Sequence, residues 1–218
     1  MMADAVERSR PMTSPSAAAA LDGGSEAKLR HYLSLLAKWN RVYNLTAITE
    51  PERMWTHHVL DSLSVVPVLE RALAAIPSPR VLDVGSGAGL PGIPLAIVHP
   101  DWDVTMLDAI GKKTAFVQQA IAELHLRNAT AVTARVEDYA GGAFTAIVSR
   151  AFSSLADFTG KTRHLLGSDG TWVAMKGAVP ADELRDLASD IECVEVVPLA
   201  VTGLDAQRHA LLLKVKGR

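Results

Sequence analysis

The sequence predicts an α/β fold: a seven-stranded, mostly parallel sheet with a C-terminal antiparallel hairpin, preceded by an all-helical cap. Three observations carry this expectation. Residues 81–89 read Val-Leu-Asp-Val-Gly-Ser-Gly-Ala-Gly and run into an apolar helical stretch, so a buried strand meets a helix through a glycine turn. From there to residue 188, strand-like and helix-like segments alternate, the pattern of a parallel sheet covered on both faces. The last two strand-like segments, residues 193–201 and 209–215, have no helix between them, which predicts a hairpin with Gly203, Leu204 and Asp205 in its loop.

Taken in order, residues 1–24 mix Ser, Pro, Gly and Ala and are expected to form a flexible tail that folding does not require. Ser25 is expected to cap a helix over residues 25–44, with Leu29, Leu33, Leu36, Asn40 and Tyr43 on one side beside Tyr32 and Trp39. Thr49 and Glu52 have the spacing of a capping box, with Pro51 in the first turn, where no N–H is needed. A helix through Met54, Trp55 and His58 follows, then another through Leu63, Val66, Leu69 and Leu73, with a bend or break at Pro67. Residues 25–78 therefore read as a helical cap and residues 79–218 as the sheet domain. After the strand at Val81, strands are expected at residues 104–107, 130–134, 144–148 and 171–175, and helices at 90–98, 111–126, 155–166 and 180–188.

The bulk properties narrow the partners. With 218 residues and a formal charge of −2, the chain suits one sizeable domain with an extension, and any surface for nucleic acid must be a local basic patch. The single cysteine, Cys193, excludes an internal disulfide or a multi-thiolate zinc site and suits a reducing cytosol. No uninterrupted apolar run is long enough to predict a membrane span.

The glycine turn separates two kinds of cofactor. A dinucleotide fingerprint would place its third glycine at position 90, which is Leu90. Asp83, Gly85, Gly87 and Gly89 instead give Asp-x-Gly-x-Gly-x-Gly, which resembles the first motif of S-adenosylmethionine-dependent methyltransferases. Asp108 closes the next strand, where an acid suits ribose hydroxyls in either class of nucleoside cofactor. Gly87 and Gly89 are expected to let the backbone approach that ligand closely.

Beyond the loop, a set of short words runs through residues 28–215: Trp39-Asn40, Tyr43-Asn44-Leu45-Thr46, His58-Val59-Leu60-Asp61-Ser62, then residues 83–94, Lys112-Lys113, Arg135-Val136-Glu137, Ser149-Arg150-Ala151, Lys176-Gly177 and Arg208-His209. On these words the chain resembles the bacterial small-subunit ribosomal RNA guanine-N7 methyltransferases, formerly called glucose-inhibited division protein B. The resemblance implies a Rossmann-like class I methyltransferase fold and S-adenosylmethionine as methyl donor. It implies a guanosine in the decoding-region loop of 16S rRNA, free or in the small subunit, as acceptor. Carried over by position, cofactor contacts fall on Gly85, Leu90, Val136, Glu137 and Arg150. A cytoplasmic monomer without a metal is expected.

Basic residues that could meet RNA are Lys38 and Arg41 on the first helix, His58, and Lys112, Lys113, Lys176 and Arg208 near strand ends. His57, His58 and Asp61 are types of metal ligand, but adjacent histidines on a helix point about a hundred degrees apart, and no metal site is assigned. Trp39 and Tyr43 read as core rather than as base-stacking platforms. No catalytic residue is identified. Cys193 lies in a late strand, away from where a pyrimidine-methylating nucleophile would sit. Ser149-Arg150-Ala151-Phe152 does not match the Asn/Asp-Pro-Pro-aromatic loop common in adenine amino methylation. Guanine N7 carries a lone pair and no proton, consistent with the lack of an evident base. A small-molecule or protein methyltransferase, and a non-catalytic small-subunit assembly factor, stay open as alternatives at this point.

Overall fold

The structure, a computed structural model, describes residues 21–150, 152 and 154–217. Most of the segment expected as a tail, residues 1–20, lies outside the described residues, as does Ala151. Helix α1 (Gly23–Tyr43) starts before Ser25, because Asp22 is its N-cap and accepts the Ser25 N–H at 2.6 Å. A carboxylate there satisfies a free N–H and also meets the positive end of the helix. Thr49 caps nothing: α2 (Pro51–Met54) has Glu50 at its N-cap with no side-chain bond, and Pro51 fills the first turn. The rod continues as a π-helical segment (Trp55–Leu60) and α3 (Asp61–Leu63), then restarts as α4 (Val66–Leu73) with Pro67 in its first turn, the break expected at that proline.

Seven strands follow: β1 (Arg80–Val84), β2 (Asp103–Asp108), β3 (Ala129–Thr133), β4 (Phe144–Ser149), β5 (Leu166–Lys176), β6 (Ile191–Pro198) and β7 (His209–Val215). Between them lie α5 (Gly92–Val98), α6 (Gly111–Glu123), α7 (Leu155–Thr162) and α8 (Ala181–Arg185). The sheet order is β3-β2-β1-β4-β5-β7-β6, with β1 to β5 parallel and β7 antiparallel to both neighbours. The parallel sheet with a closing antiparallel hairpin is thus as expected. Strand β5 starts earlier than residue 171 because its backbone at Gly167 and Gly170 runs against the Phe144 carbonyl, where an added Cβ would come to 3.1 and 2.9 Å.

Alternation along the strands builds two cores. Val81, Val104, Met106, Ala146 and Val148 pack under the cap helices with α5 and α6. Leu82, Val84, Leu107, Ile147 and Trp172 pack on the other face with Leu155 and Phe158 of α7. The cap is joined to the first core through Leu29, Tyr32 and Leu36, all fully buried. Trp39 packs there too, 5.7 Å from the Phe116 ring, whereas Tyr43, expected in the core, is 42% exposed.

Candidate active site

A doubly wound sheet exposes its ligand edge at the carboxyl ends of its parallel strands, where the order of strands reverses. Here β1 is followed by β2 on one side and β4 on the other, so that edge opens above Gly85. Gly85, Gly87 and Gly89 all adopt left-handed backbone, with φ of 70°, 59° and 84°. They do so for different reasons. A Cβ on Gly87 would meet nothing within 4 Å, so that turn faces open space. A Cβ on Gly89 would come within 2.7 Å of Ile93 Cγ1 and 3.3 Å of Val117 Cγ2, so this glycine serves close packing of the helix on the sheet. Leu90, expected at the cofactor, is buried and its side chain packs in the first core.

Asp108 and the glycine turn are brought together. Its Oδ2 accepts the Gly87 N–H at 2.9 Å and its Oδ1 accepts the Ile110 N–H at 2.9 Å. Each oxygen retains a second lone pair. Lys113 Nζ lies 3.8 Å from Oδ2, while Lys112 turns away and donates to the Tyr43 carbonyl at 2.9 Å. Below the turn, Asp83 is fully buried and its Oδ2 accepts the Gly92 N–H at 2.8 Å. Its Oδ1 and the neighbouring Ser86 hydroxyl, both buried, have no partner among the described residues. Burial pushes the Asp83 pKa up to about 7, against the opposing pull of the Gly92 N–H. The cap reaches the same turn: the Tyr32 hydroxyl donates to the Ala88 carbonyl at 2.8 Å, in a site whose burial raises the pKa of the phenol.

Val136 and Glu137 form a short 3₁₀ turn after β3, on the same edge. Val136 packs against the second core, and Glu137 is exposed with Lys161 3.7 Å away. Arg150 follows β4, but its guanidinium is held by a residue the sequence reading gave no partner. Asp61, 5% exposed on α3, accepts from Arg150 Nη1 through one oxygen and from Arg208 Nε through the other, each at 2.8 Å. One carboxylate therefore fastens the cap to the ends of β4 and of the segment entering β7. A buried acid is costly without such partners, which is the signal that could have singled out Asp61 within His-Val-Leu-Asp-Ser.

Several residues expected to face RNA are placed otherwise. His58 is buried, its Nε2 lies 2.9 Å from the Thr46 hydroxyl, and burial with the nearby Arg150 charge holds its pKa down at about 4. Thr46 is itself pinned by Asn40, which donates to its carbonyl at 2.9 Å and accepts its N–H at 2.8 Å. The words Trp-Asn, Tyr-Asn-Leu-Thr and His-Val-Leu-Asp-Ser thus form one locking network inside the cap. Lys176 is bound by Glu183 at 2.9 Å and by the Phe152 carbonyl at 3.1 Å. Lys38 and Arg41 are exposed on the outer ridge of α1, and no carboxylate lies within ion-pair distance of either among the described residues. No group of three or more His, Cys, Asp or Glu side chains is gathered for a metal among the described residues, and no described helix is long and apolar enough to cross a membrane.

Comparison with known proteins agrees with this geometry. Among solved structures, ribosomal protein L11 methylase from Lactobacillus delbrueckii subsp. bulgaricus superposes with a TM-score of 0.55 at 16% identity, covering 72% of this chain and 78% of that one. A SAM-dependent methyltransferase from Thiobacillus denitrificans, solved with S-adenosyl-L-homocysteine, gives a TM-score of 0.51 at 13% identity, covering 69% and 90%. These place the fold among the class I methyltransferases. In sequence, the ribosomal RNA small subunit methyltransferase G of Laribacter hongkongensis is 50% identical over 198 residues, 90% of this chain and 92% of that protein. Its counterpart from Neisseria meningitidis serogroup C is 47% identical over 212 residues, 96% and 99% of the two chains. The family model for rRNA small subunit methyltransferase G matches residues 25–212. On the strength of that match, and of identity near one half along most of its length, the chain belongs to the rRNA small subunit methyltransferase G family.

Proposed function

We propose that this protein transfers a methyl group from S-adenosylmethionine to guanine N7 in the decoding-region loop of 16S rRNA. Membership of the family makes it a S-adenosylmethionine-dependent methyltransferase of small-subunit rRNA; the choice of atom and nucleotide is the reading argued here. The observation that carries it is the bond between Asp108 and Gly87, which sets a strand-end acid beside an open glycine turn. Asp108 has lone pairs left for ribose hydroxyls, and the backbone at Gly87 has room for close approach. These residues fit a nucleoside cofactor; Val136, Glu137 and the backbone at Leu90 complete its wall.

When bound, S-adenosylmethionine supplies an electrophilic methyl carbon on a sulfonium. The residues around it hold the acceptor in line and exclude water. Guanine N7 already bears its lone pair, so no side chain has to remove a proton. That agrees with the groups at the β4 end: Ser149 donates to the Val84 carbonyl, Arg150 to Asp61, and neutral His58 lies against Thr46. Cys193 sits in β6 opposite Leu213, mid-strand rather than at the ligand edge, and its thiol pKa is raised to about 11 by burial. Cytoplasmic action as a monomer is part of this reading.

Mapping 7-methylguanosine in 16S rRNA from cells with and without the protein tests the proposal. A decoding-region guanosine should lose its methyl group in the deleted strain and regain it when its small subunits meet purified protein and cofactor. Unaltered 16S rRNA, with methyl transfer to a metabolite pool instead, would overturn it.

A further inference from the structure

We infer that the groove between α1 and α2, outside the cofactor edge, is a docking track for the single-stranded RNA that flanks the acceptor nucleotide. This rests on the rRNA-directed reading above and specifies how the strand is led to the site. The groove encloses about 560 Å³ between the outer ridge of α1 and the Pro51–Trp55 turn. Arg30, Ser34, Lys38 and Arg41 line one side at helical spacing, all exposed, over about 16 Å of helix at 1.5 Å per residue. Trp55 stands opposite, half-buried, with the Arg30 guanidinium 4.5 Å above its ring.

Charge favours a polyanion there. Three cations face one carboxylate, Glu52, within the lining of the groove, on a chain whose formal charge is −2. Glu26 holds Arg30 at 2.7 Å, but in an exposed pair worth little and readily exchanged for phosphate. Arg30 stacked on Trp55 presents a flat guanidinium for a base to lie on, beside a row of cations for the backbone. Leu33, Ala37 and Met54 give the groove an apolar floor on which a base can lie, and the three cations along its edge favour a polyanion over an uncharged partner.

The groove also leads somewhere. At the far end of α1, the Tyr43 carbonyl receives Lys112, and the adjacent Lys113 lies against Asp108 at the cofactor edge. On the other wall, the helical rod that begins at Trp55 carries Asp61, which anchors Arg150 and Arg208 at the mouth. A strand in the groove is therefore delivered to the site by both walls.

The test uses the whole protein and small ribosomal subunits from cells that lack it. With benzoylphenylalanine at Ser34, irradiation should crosslink to unpaired nucleotides of 16S rRNA near the acceptor, while the same group at exposed Asp186 should not. Lys38→Glu with Arg41→Glu should raise the RNA KM at least tenfold and flatten the salt slope of binding by about 1.5, at roughly 0.7–0.9 per phosphate contact. Its affinity for S-adenosylhomocysteine, measured by calorimetry, should stay within twofold and so report an intact fold. Adducts only to ribosomal proteins, or an unchanged KM and salt slope in the double variant, would overturn the track. Crosslinking to RNA that the enzyme does not methylate would instead retain the track and sink the proposed reaction.

Discussion

Arg150, Lys176 and Arg208 at the ends of strands, and Lys38 and Arg41 on the cap helix, look alike in the sequence: long cations beside a site that must meet RNA. In the folded chain they differ in what they already hold. The strand-end cations are committed, two of them to Asp61 and one to Glu183. Those on the cap have no carboxylate at ion-pair distance among the described residues, and they stand in water. A cation already paired in a partly buried site must give up that pairing before it binds phosphate, whereas a solvated one gives up only water and counterions. Nearness to the reaction centre is thus a poor guide to which cations attract the substrate. The strand-end set fastens the cap to the sheet, retaining one net positive charge around Asp61, and on the docking track proposed above the cap set is the one free to attract RNA.

The sharpest way to break this comparison is to remove the carboxylate. Asp61→Ala should cost about 3–5 kcal/mol of stability, toward the lower figure because both arginines keep some contact with water. Arg41→Ala should stay within about 0.5 kcal/mol, as exposed substitutions usually do. Denaturant titration of both variants checks the pair; equal losses would mean the two sets of cations are not different in kind.

A second contrast lies between two buried acids. Asp61 has two cations, Asp83 has none in contact among the described residues, and burial pushes the Asp83 pKa up to about 7. Between pH 4 and 7 the folded protein then holds a proton on Asp83 that the unfolded chain has released. Its contribution to stability is fully present below about pH 4 and is lost as pH rises through 7, by up to about 4 kcal/mol at 1.36 kcal/mol per pKa unit. His58, depressed to about 4, acts in the opposite sense, since its stabilising neutral form is lost as pH falls through that value. Comparing the parent protein with Asp83→Asn at pH 5 and pH 8, without cofactor, isolates the first effect. An unchanged difference between the two pH values would place the Asp83 pKa near its ordinary range.

Asp108→Ala asks less of the fold and more of the ligand. Loss of the acid should weaken S-adenosylhomocysteine binding by about 1–3 kcal/mol, the cost of leaving hydrogen-bonding groups unpaired. Calorimetry giving unchanged affinity would remove Asp108 from the cofactor site.

Much of this frame was legible in the chain. Val81 and Leu82 announce two faces by alternation, and Asp83, Gly85 and Gly87 mark the edge because glycine enters such left-handed turns without the steric cost that a Cβ carries. Local rules failed where two of them competed, as at the start of α1, where Asp22 outdid Ser25, and before α2, where Glu50 displaced Thr49. What the sequence left hidden is pairing at a distance. Asp61 meets Arg150 and Arg208 across 89 and 147 positions, and no periodicity links them. The same blindness made His58 look available when its ring is buried against Thr46.

The smallest expected effect concerns Cys193, and it bears on the chemistry. Cys193→Ser should leave the single-turnover methylation rate within about twofold, because the thiol lies mid-strand in β6, bonded to the Glu195 carbonyl at 3.5 Å, with its pKa raised rather than lowered. A nucleophilic cysteine needs the opposite environment. The rate, with enzyme saturated by RNA and cofactor, should also be nearly flat across neutral pH. Guanine N7 has no proton to lose, His58 is neutral throughout that range, and no histidine replacement should add or remove an ionisation. Asp83 titrates in the same window, but its carboxyl lies under the turn against Gly92, so its ionisation should register in stability rather than in methyl transfer. Loss of activity in Cys193→Ser would point to a covalent adduct and a pyrimidine acceptor. A steep pH limb abolished by replacing one histidine would mean a protonated acceptor and a general base. Either result would leave the fold and the cofactor edge untouched while changing the atom that receives the methyl group.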